Sequence, residues 1–169
     1  MNWRYTFILA CLFASAANAQ QSGLNFGAHN TSAPIAVSAD TFTGDFQTKV
    51  GVYSGNVLVA QGDFKMRADK VTIIVNQGKP NRIEATGNVT FNAPSGTASG
   101  DTGVYELGPR TITLSGNVVL AKEKNVMRGT TLVVNLATGK AQLGAKGMPG
   151  GRVQGLFTPP PQSSGTGNK

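Results

Sequence analysis

The sequence is poor in the residues on which most enzymes and metal sites depend. It has one cysteine (Cys11), one histidine (His29) and one tryptophan (Trp3), and all three lie near the N-terminus. Metalloenzymes with histidine ligands need two or three histidines with a carboxylate, and nucleophilic catalysis needs a cysteine, or a serine with a histidine beside it. We therefore predict that the chain is not an enzyme and that it uses no cofactor and no metal.

The first nineteen residues have the pattern of a secretory leader. Arg4 precedes an apolar run over about residues 5–17, which is too short to cross a bilayer as an anchor. Residues 17–19 (Ala-Asn-Ala) match a small-x-small cleavage site, so we expect cleavage after Ala19 and export to the periplasm. A lipoprotein site at Cys11 is the alternative, but it would shorten the apolar region to about six residues.

Removal of the leader would also remove Cys11, so the exported chain would have no disulfide. A domain of roughly 150 residues can be stable through burial and hydrogen bonding alone. We predict an N-terminal segment at residues 20–31, one domain at 32–157 and a disordered tail at 158–169, which is rich in Pro, Gly and Ser.

Positive charge predominates, but it is not concentrated. The chain carries 15 Lys and Arg against 8 Asp and Glu, a net charge of +7. The basic residues stand singly, whereas a nucleic-acid-binding arm clusters them and interleaves aromatic residues. We therefore expect no nucleic-acid partner. The charge agrees with attraction to anionic lipid head groups or a membrane surface, and also with a simple solvated surface.

Strand patterning dominates the central part of the chain. Glutamate, a good helix former, occurs only three times, while Gly, Val, Thr and Asn are plentiful. Apolar residues alternate with polar ones, which places them on one face of each strand, and turn signals occur at 76–80, 93–96 and 108–109. The predicted apolar face comprises Ile35, Val37, Tyr53, Val57, Val59, Val71, Ile73, Val75, Ile83, Val89, Phe91, Tyr105, Leu107, Ile112, Leu114, Val118, Leu120, Leu132, Val134 and Leu136.

A Gly-Asn-Val triplet recurs at residues 55–57, 87–89 and 116–118. Gly, and Asn to a lesser degree, tolerate positive φ, so a Gly-Asn pair inside a strand lets the chain bend or bulge. Three pairs at near-equal spacing, with the apolar alternation continuing across them, predict bends at one level that curve the whole sheet. An ordinary hairpin turn is the alternative for each pair.

Three aspartates recur at a similar spacing. Paired carboxylates can hydrolyse glycosides, and Asp40, Asp69 and Asp101 are the residues that would supply them. Their regular spacing instead favours a role in turns or at strand starts.

These segments together resemble the OstA-like domain that lipopolysaccharide-transport proteins share. The resemblance rests on PIAVSAD at 34–40, GNVLVAQG at 55–62, ADKV at 68–71 and IEATGNV at 83–89, in that order, and it covers about residues 32–157. It implies an all-β fold, an antiparallel β-jellyroll that is partly open (taco-like) and built from repeated strand pairs. The cleavable leader and the end of the chain match the soluble periplasmic bridge protein of the family.

The resemblance also implies a ligand and partners. Acyl chains of lipopolysaccharide (lipid A) would lie inside the jellyroll. Copies would stack end to end, between inner-membrane-anchored and outer-membrane partners that carry the same jellyroll. The family's interior lipid-contacting positions correspond to Ile35, Val37, Phe91, Tyr105 and Leu107. From the same apolar face we add Tyr53, Val57, Val59, Ile73, Leu120 and Val134 as lipid-binding candidates.

An open apolar trough gives lipid binding a physical basis. Acyl methylenes that cover such a trough are stabilised by roughly 0.8 kcal/mol each. Unpaired first and last strands would serve as docking surfaces through strand addition. Core packing is the alternative for any single inward residue. For the whole chain, the alternative is an exported carbohydrate-binding or structural β-sandwich with no transport role.

Overall fold

The computed structural model describes residues 32–147 and 150–158. The predicted leader (1–19), the N-terminal segment 20–31 and the tail from residue 159 lie outside the described residues. The described part is all β and has no helix, as the alternation predicts, and its ten antiparallel strands form one unclosed sheet. It therefore contains no helix that is long and apolar enough to cross a membrane.

The six long strands β3 to β8 follow one another in the sheet as they do in the chain. The sheet order is β1-β3-β4-β5-β6-β7-β8-β10, with β2 also beside β3 and β9 also beside β8. The strands are β1 (Ile35–Ser38), β2 (Thr41–Asp45), β3 (Val50–Gln61), β4 (Phe64–Asn76), β5 (Lys79–Ala93), β6 (Gly96–Glu106), β7 (Thr111–Lys122), β8 (Asn125–Asn135), β9 (Lys140–Gly144) and β10 (Gln154–Leu156).

Short turns join these long strands. Only Gln77 and Gly78 separate β4 from β5, and their φ values of 50° and 77° are those of a tight two-residue hairpin. The predicted turns at 93–96 and 108–109 also fall between strands. All three turn predictions are confirmed.

Each Gly-Asn pair lies inside a long strand and forms a bulge. The φ angles are 76–81° at Gly55, Gly87 and Gly116, and 44–48° at the asparagines that follow them. At each pair the pairing register with the neighbouring strands shifts by one residue, because the bulged strand carries one extra residue. The predicted bends at one level are confirmed, and the hairpin alternative is wrong.

The bulges lie in one line across the sheet, which we call the crease, and it divides the sheet into two halves. The β1 half holds β1, β10 and the segments of β3 to β8 next to the turns at 62–63, 94–95 and 123–124. The β2 half holds β2, β9 and the other segments. Each edge of the sheet consists of two short strands, one in each half. At one edge β1 and β2 pair with the two segments of β3, and at the other β10 and β9 pair with the two segments of β8. Side chains from both halves line one interior, so the halves face each other.

The bulges affect the alternation of buried and exposed residues differently on neighbouring strands. In β5 the buried residues keep one parity through the bulge, from Ile83 to Phe91. In β4 the buried positions change parity between Ala68 and Val71, because Asp69 and Lys70 are consecutive exposed residues opposite the bulge. β6 and β8 change parity in the same way.

The three recurring aspartates lie opposite the bulges. Asp40 immediately precedes β2, as a strand-start role predicts, but that prediction is wrong for Asp69 and Asp101, which lie within β4 and β6. The asparagine side chains donate hydrogen bonds to them: Asn56 to Asp40 (2.8 Å), Asn88 to Asp69 (2.9 Å) and Asn117 to Asp101 (2.9 Å). Each carboxylate also lies so close to the glycine of its bulge that a Cβ there would overlap it. The aspartates therefore hold the crease.

Candidate functional site

The interior opens to solvent between β1 and the β2 half. This opening, which we call the mouth groove, has a volume of about 460 Å³, within the range of roughly 300–1,000 Å³ of small-molecule sites. Asp45 and Lys49 are the charged members of an otherwise largely apolar lining. The lining residues are Ile35, Val37, Phe42, Gly44, Asp45, Phe46, Lys49, Val50, Gly51, Tyr53, Ile73, Val75, Pro80 and Ile83.

A second, smaller space lies between the two halves. This inner cavity has a volume of about 40 Å³, enough for only a few water-sized groups at roughly 10–15 Å³ each. An acyl chain therefore enters it only if the halves move apart. Its lining residues are Ile35, Val59, Gln61, Phe64, Met66, Ile83, Phe91, Gly103, Val104, Tyr105, Ile112, Leu114 and Leu136.

Strand β2 forms one side of the mouth groove and is exposed along its whole length. The Phe42 ring packs against Tyr53 of β3 with a centroid distance of 4.7 Å. Gly44 and Gly51 make room for that ring, since an added Cβ would lie 3.1 and 3.0 Å from it. Phe46, in the turn after β2, is 93% exposed, so a solvent-exposed aromatic side chain lies beside the opening of the groove.

The β1 half contributes aromatic packing to the inner cavity. Phe64 of β4 and Phe91 of β5 are both buried, and their rings pack tilted with centroids 5.0 Å apart. Gln61 is the buried polar residue of this lining, and its side-chain amide donates to the carbonyl oxygen of Ala33 at 3.1 Å. That hydrogen bond fixes the chain just before β1.

Two titratable groups of the lining have shifted pKa values. The backbone and side-chain groups of Thr48, and the backbone amide of Gln47, donate to the Asp45 carboxylate and lower its pKa. Burial raises the pKa of the Tyr105 hydroxyl, and nearby Arg110 opposes that rise. Tyr105 therefore lies in the interior as the neutral phenol.

The ion pairs of Arg82 belong to the outer face. Arg82 lies 2.7 Å from Glu84 and 2.8 Å from Glu106, and the Glu84 hydrogen bond is the main reason that the pKa of Arg82 is raised. All three side chains are more than a third exposed and line neither cavity. We assign them no part in the site.

The structure brings seven of the eleven predicted lipid-binding residues together. Ile35, Val37, Tyr53 and Ile73 line the mouth groove, and Val59, Phe91 and Tyr105 line the inner cavity with Ile35. The other four line neither space. Val57, Leu120 and Val134 are buried at 1%, 2% and 3% exposure, and Leu107 packs half-buried against the core just after β6.

Five prominent lining residues are not among the site residues predicted from the sequence. Phe64 and Met66 lie in β4 before its change of parity, where period-two alternation from Val71 fails. Phe42 and Phe46 belong to β2 and its turn, which have no apolar alternation. Ile83 was on the predicted apolar face but not among the site residues. Two consecutive outward-facing residues opposite each Gly-Asn pair mark the change of parity. This signal could have identified Phe64 and Met66 as inward-facing.

The crease, the unclosed edges and the accessible apolar interior define an open β-jellyroll. Residues 36–140 match the family described as LptA/(LptD N-terminal domain) LPS transport protein. The chain therefore belongs to this family of lipopolysaccharide-transport proteins, as the OstA-like resemblance predicts. The family is one of transport proteins and not of enzymes.

Two relatives match most of the chain. The chain is 34% identical over 159 residues to an uncharacterized protein of Rhizobium meliloti, covering 88% of this chain and 82% of that protein. It is 28% identical over 135 residues to the lipopolysaccharide export system protein LptA of Haemophilus influenzae, covering 75% and 77%.

A solved structure supports the fold. The crystal structure of LptH, the LptA homologous periplasmic component of the lipopolysaccharide transport device of Pseudomonas aeruginosa, superposes with a TM-score of 0.70 at 22% identity. The match covers 78% of this chain and 99% of that one. The predicted jellyroll fold is confirmed.

Proposed function

We propose that this chain is a periplasmic transport protein that holds the acyl chains of lipopolysaccharide between the two halves of its folded sheet. One observation carries the proposal: in a member of a lipopolysaccharide-transport family, the apolar interior is open at one edge through a groove of about 460 Å³. Acyl chains that cover such a surface are stabilised by roughly 0.8 kcal/mol per methylene. An apolar ligand is therefore the chemistry that the groove favours.

The lining residues divide the proposed contacts into two groups. Val37, Tyr53 and Ile73 meet acyl chains in the mouth groove, while Phe91 and Tyr105 meet them deeper inside. Val57, Leu107, Leu120 and Val134 line neither space, so lipid contacts them only if the halves separate further.

The two open edges support end-to-end stacking. Within residues 32–147 and 150–158, strands β1 and β2 at one edge and β9 and β10 at the other have a partner strand on one side only. Exposed edges add further strands readily. Leu156 and Phe157, at and just after β10, are 67% and 66% exposed. We propose that these edges join copies of the chain to each other and to jellyroll partners at the inner and outer membranes.

The predicted leader supports a periplasmic location. Export through the inner membrane with cleavage after Ala19 would release the domain between the two membranes, where the LptH relative is described as a periplasmic component. The scattered basic side chains would favour a ligand with anionic head groups.

Lipid extraction from the purified full-length protein, followed by mass spectrometry, tests the proposal. We expect lipid A species in amounts that rise when purified lipopolysaccharide is added before purification. Recovery of a bound glycan without lipid would support the carbohydrate-binding alternative. Absence of any lipid after loading would contradict the transport proposal.

A further inference from the structure

Two isoleucines line both the mouth groove and the inner cavity. Ile35 belongs to β1 in the β1 half, and Ile83 belongs to β5 in the β2 half. They are the only residues common to the two linings described above. Each half therefore contributes one side chain that borders both spaces.

The two spaces differ in what they accept. The mouth groove is large enough for a ligand as it stands, whereas the inner cavity of about 40 Å³ holds only a few small groups. A chain that enters from the edge between β1 and β2 meets Ile35 and Ile83 before it meets Phe91 or Tyr105. Passage from one space to the other therefore leads past these two side chains.

The two sides of this boundary differ in how firmly they are held. Ile83 is 2% exposed and lies in the 15-residue strand β5, which pairs with β4 and β6 on both sides. Ile35 is half-buried in the four-residue edge strand β1, whose one partner within the described part of the chain is β3, and the Gln61–Ala33 hydrogen bond holds the chain at its start. Short edge elements open at lower free energy than central ones, so we expect β1 to be the side that moves in the unstacked chain.

We propose that Ile35 and Ile83 form a pinch that separates an entry compartment from an inner compartment, and that Ile83 limits how deeply acyl chains penetrate. This inference rests on the proposed function, because it concerns the same lipid. It assigns Ile83 a role in selecting how much acyl chain the protein accepts. The mouth groove binds first, and occupation of the inner compartment follows displacement of β1.

Site-specific photo-crosslinking separates the two compartments. A photoreactive phenylalanine derivative replaces Tyr53 to report on the mouth groove, or Phe91 to report on the inner cavity, and purified lipid A is the probe. Each reporter is combined with Ile83→Ala, which removes the fixed side of the pinch, or with Ile35→Phe, which enlarges the movable side. Ile74→Ala and Ala36→Phe are the matched controls, since both residues line neither space and alternate with inward-facing neighbours.

Because both isoleucines also line the mouth groove, the readout is the ratio of the Phe91 adduct to the Tyr53 adduct. We expect Ile83→Ala to raise this ratio several-fold and Ile35→Phe to lower it several-fold, while both controls keep the wild-type ratio. Equal ratios in wild type and in both pinch variants would overturn the pinch but leave lipid binding intact. Absence of adducts at both reporters in the wild type would overturn the proposed function, and the pinch with it. If Ile83→Ala does not fold, as judged by circular dichroism, Ile35→Phe at the half-exposed edge alone decides the outcome.

Discussion

The side-chain amide of Asn88 donates a hydrogen bond of 2.9 Å to the Asp69 carboxylate across the crease. The same carboxylate lies against Gly87, whose φ of +78° and missing Cβ allow the close approach. Asp40 and Asp101 repeat this arrangement at the other two bulges. Three similar Asp–Gly–Asn contacts therefore stabilise the line along which the sheet folds. This line in turn sets which two faces of the sheet enclose the interior.

We predict that Gly87→Ala destabilises the protein by more than the strain of a positive φ alone, which costs about 1–3 kcal/mol. The reason is that the new Cβ would overlap Asp69. Gly78→Ala is the matched control, because Gly78 has nearly the same φ (+77°) and nothing within 4 Å of an added Cβ. Urea denaturation measures both changes in the free energy of unfolding.

A double-mutant cycle checks the cause. Asp69→Ala should cost about 1 kcal/mol for the lost hydrogen bond, and combining it with Gly87→Ala should cost less than the sum, because the overlap is gone. Strict additivity, or equal costs for Gly87→Ala and Gly78→Ala, would show that the carboxylate does not hold the crease.

A charge at the mouth groove should block lipid without unfolding the sheet. Val37 faces the groove and is half-buried, so Val37→Asp places a carboxylate among acyl chains that cannot solvate it. We expect the dissociation constant for lipopolysaccharide to rise roughly tenfold or more, a loss of about 1–3 kcal/mol of binding free energy. Fluorescent-probe displacement measures this change. Ser38→Asp, on the exposed face of the same strand, is the control and should bind normally. Equal binding by both variants contradicts the groove assignment.

Tyr105 supplies a spectroscopic reporter of the inner cavity. Burial raises its pKa above 10.0, so the stability contributed by the neutral phenol is complete below that pH and is lost as the pH rises through the folded-state pKa. In the leader-free Tyr53→Phe variant, Tyr105 is the one remaining tyrosine. Bound lipid removes further water, so we expect tyrosinate absorbance to appear at higher pH when lipid is present. A midpoint that lipid leaves unchanged would place the acyl chains elsewhere.

Stacking should depend on the β10 edge. Leu156→Glu puts a charge on a strand whose outer side no described residue covers, so we expect weaker concentration-dependent association in sedimentation velocity. Val133→Glu is the control, since Val133 is a partly exposed residue on the outer face of β8. Stacking through the edges is refuted if Leu156→Glu associates as strongly as the wild type.

Much of the fold could be predicted from sequence because period-two alternation survives each bulge on β3, β5 and β7. On β4, β6 and β8 the alternation changes phase opposite the bulge, so only the half after the crease was recognised. The role of Asp69 was missed for a different reason. Its partner Asn88 lies 19 positions away in sequence, and only pairing of β4 with β5 brings the two together.

The site was predictable only in part. Alternation identifies which side chains point inward, but it does not distinguish Val57, sealed in the core, from Val59, which lines the inner cavity. That difference depends on where the two halves of the sheet leave a space between them. The aromatic side of the mouth groove was missed because β2 is fully exposed and Phe42 is placed by two glycines, not by alternation.

The most direct test of the central claim, that acyl chains lie between the two halves, is photo-crosslinking at Val37 in living cells, with Ser38 as the control position on the opposite face of the same strand. We predict a lipopolysaccharide adduct at Val37 and none at Ser38, detected by mass shift and lipid analysis. Adducts of equal yield at both positions, or none at Val37, would contradict it.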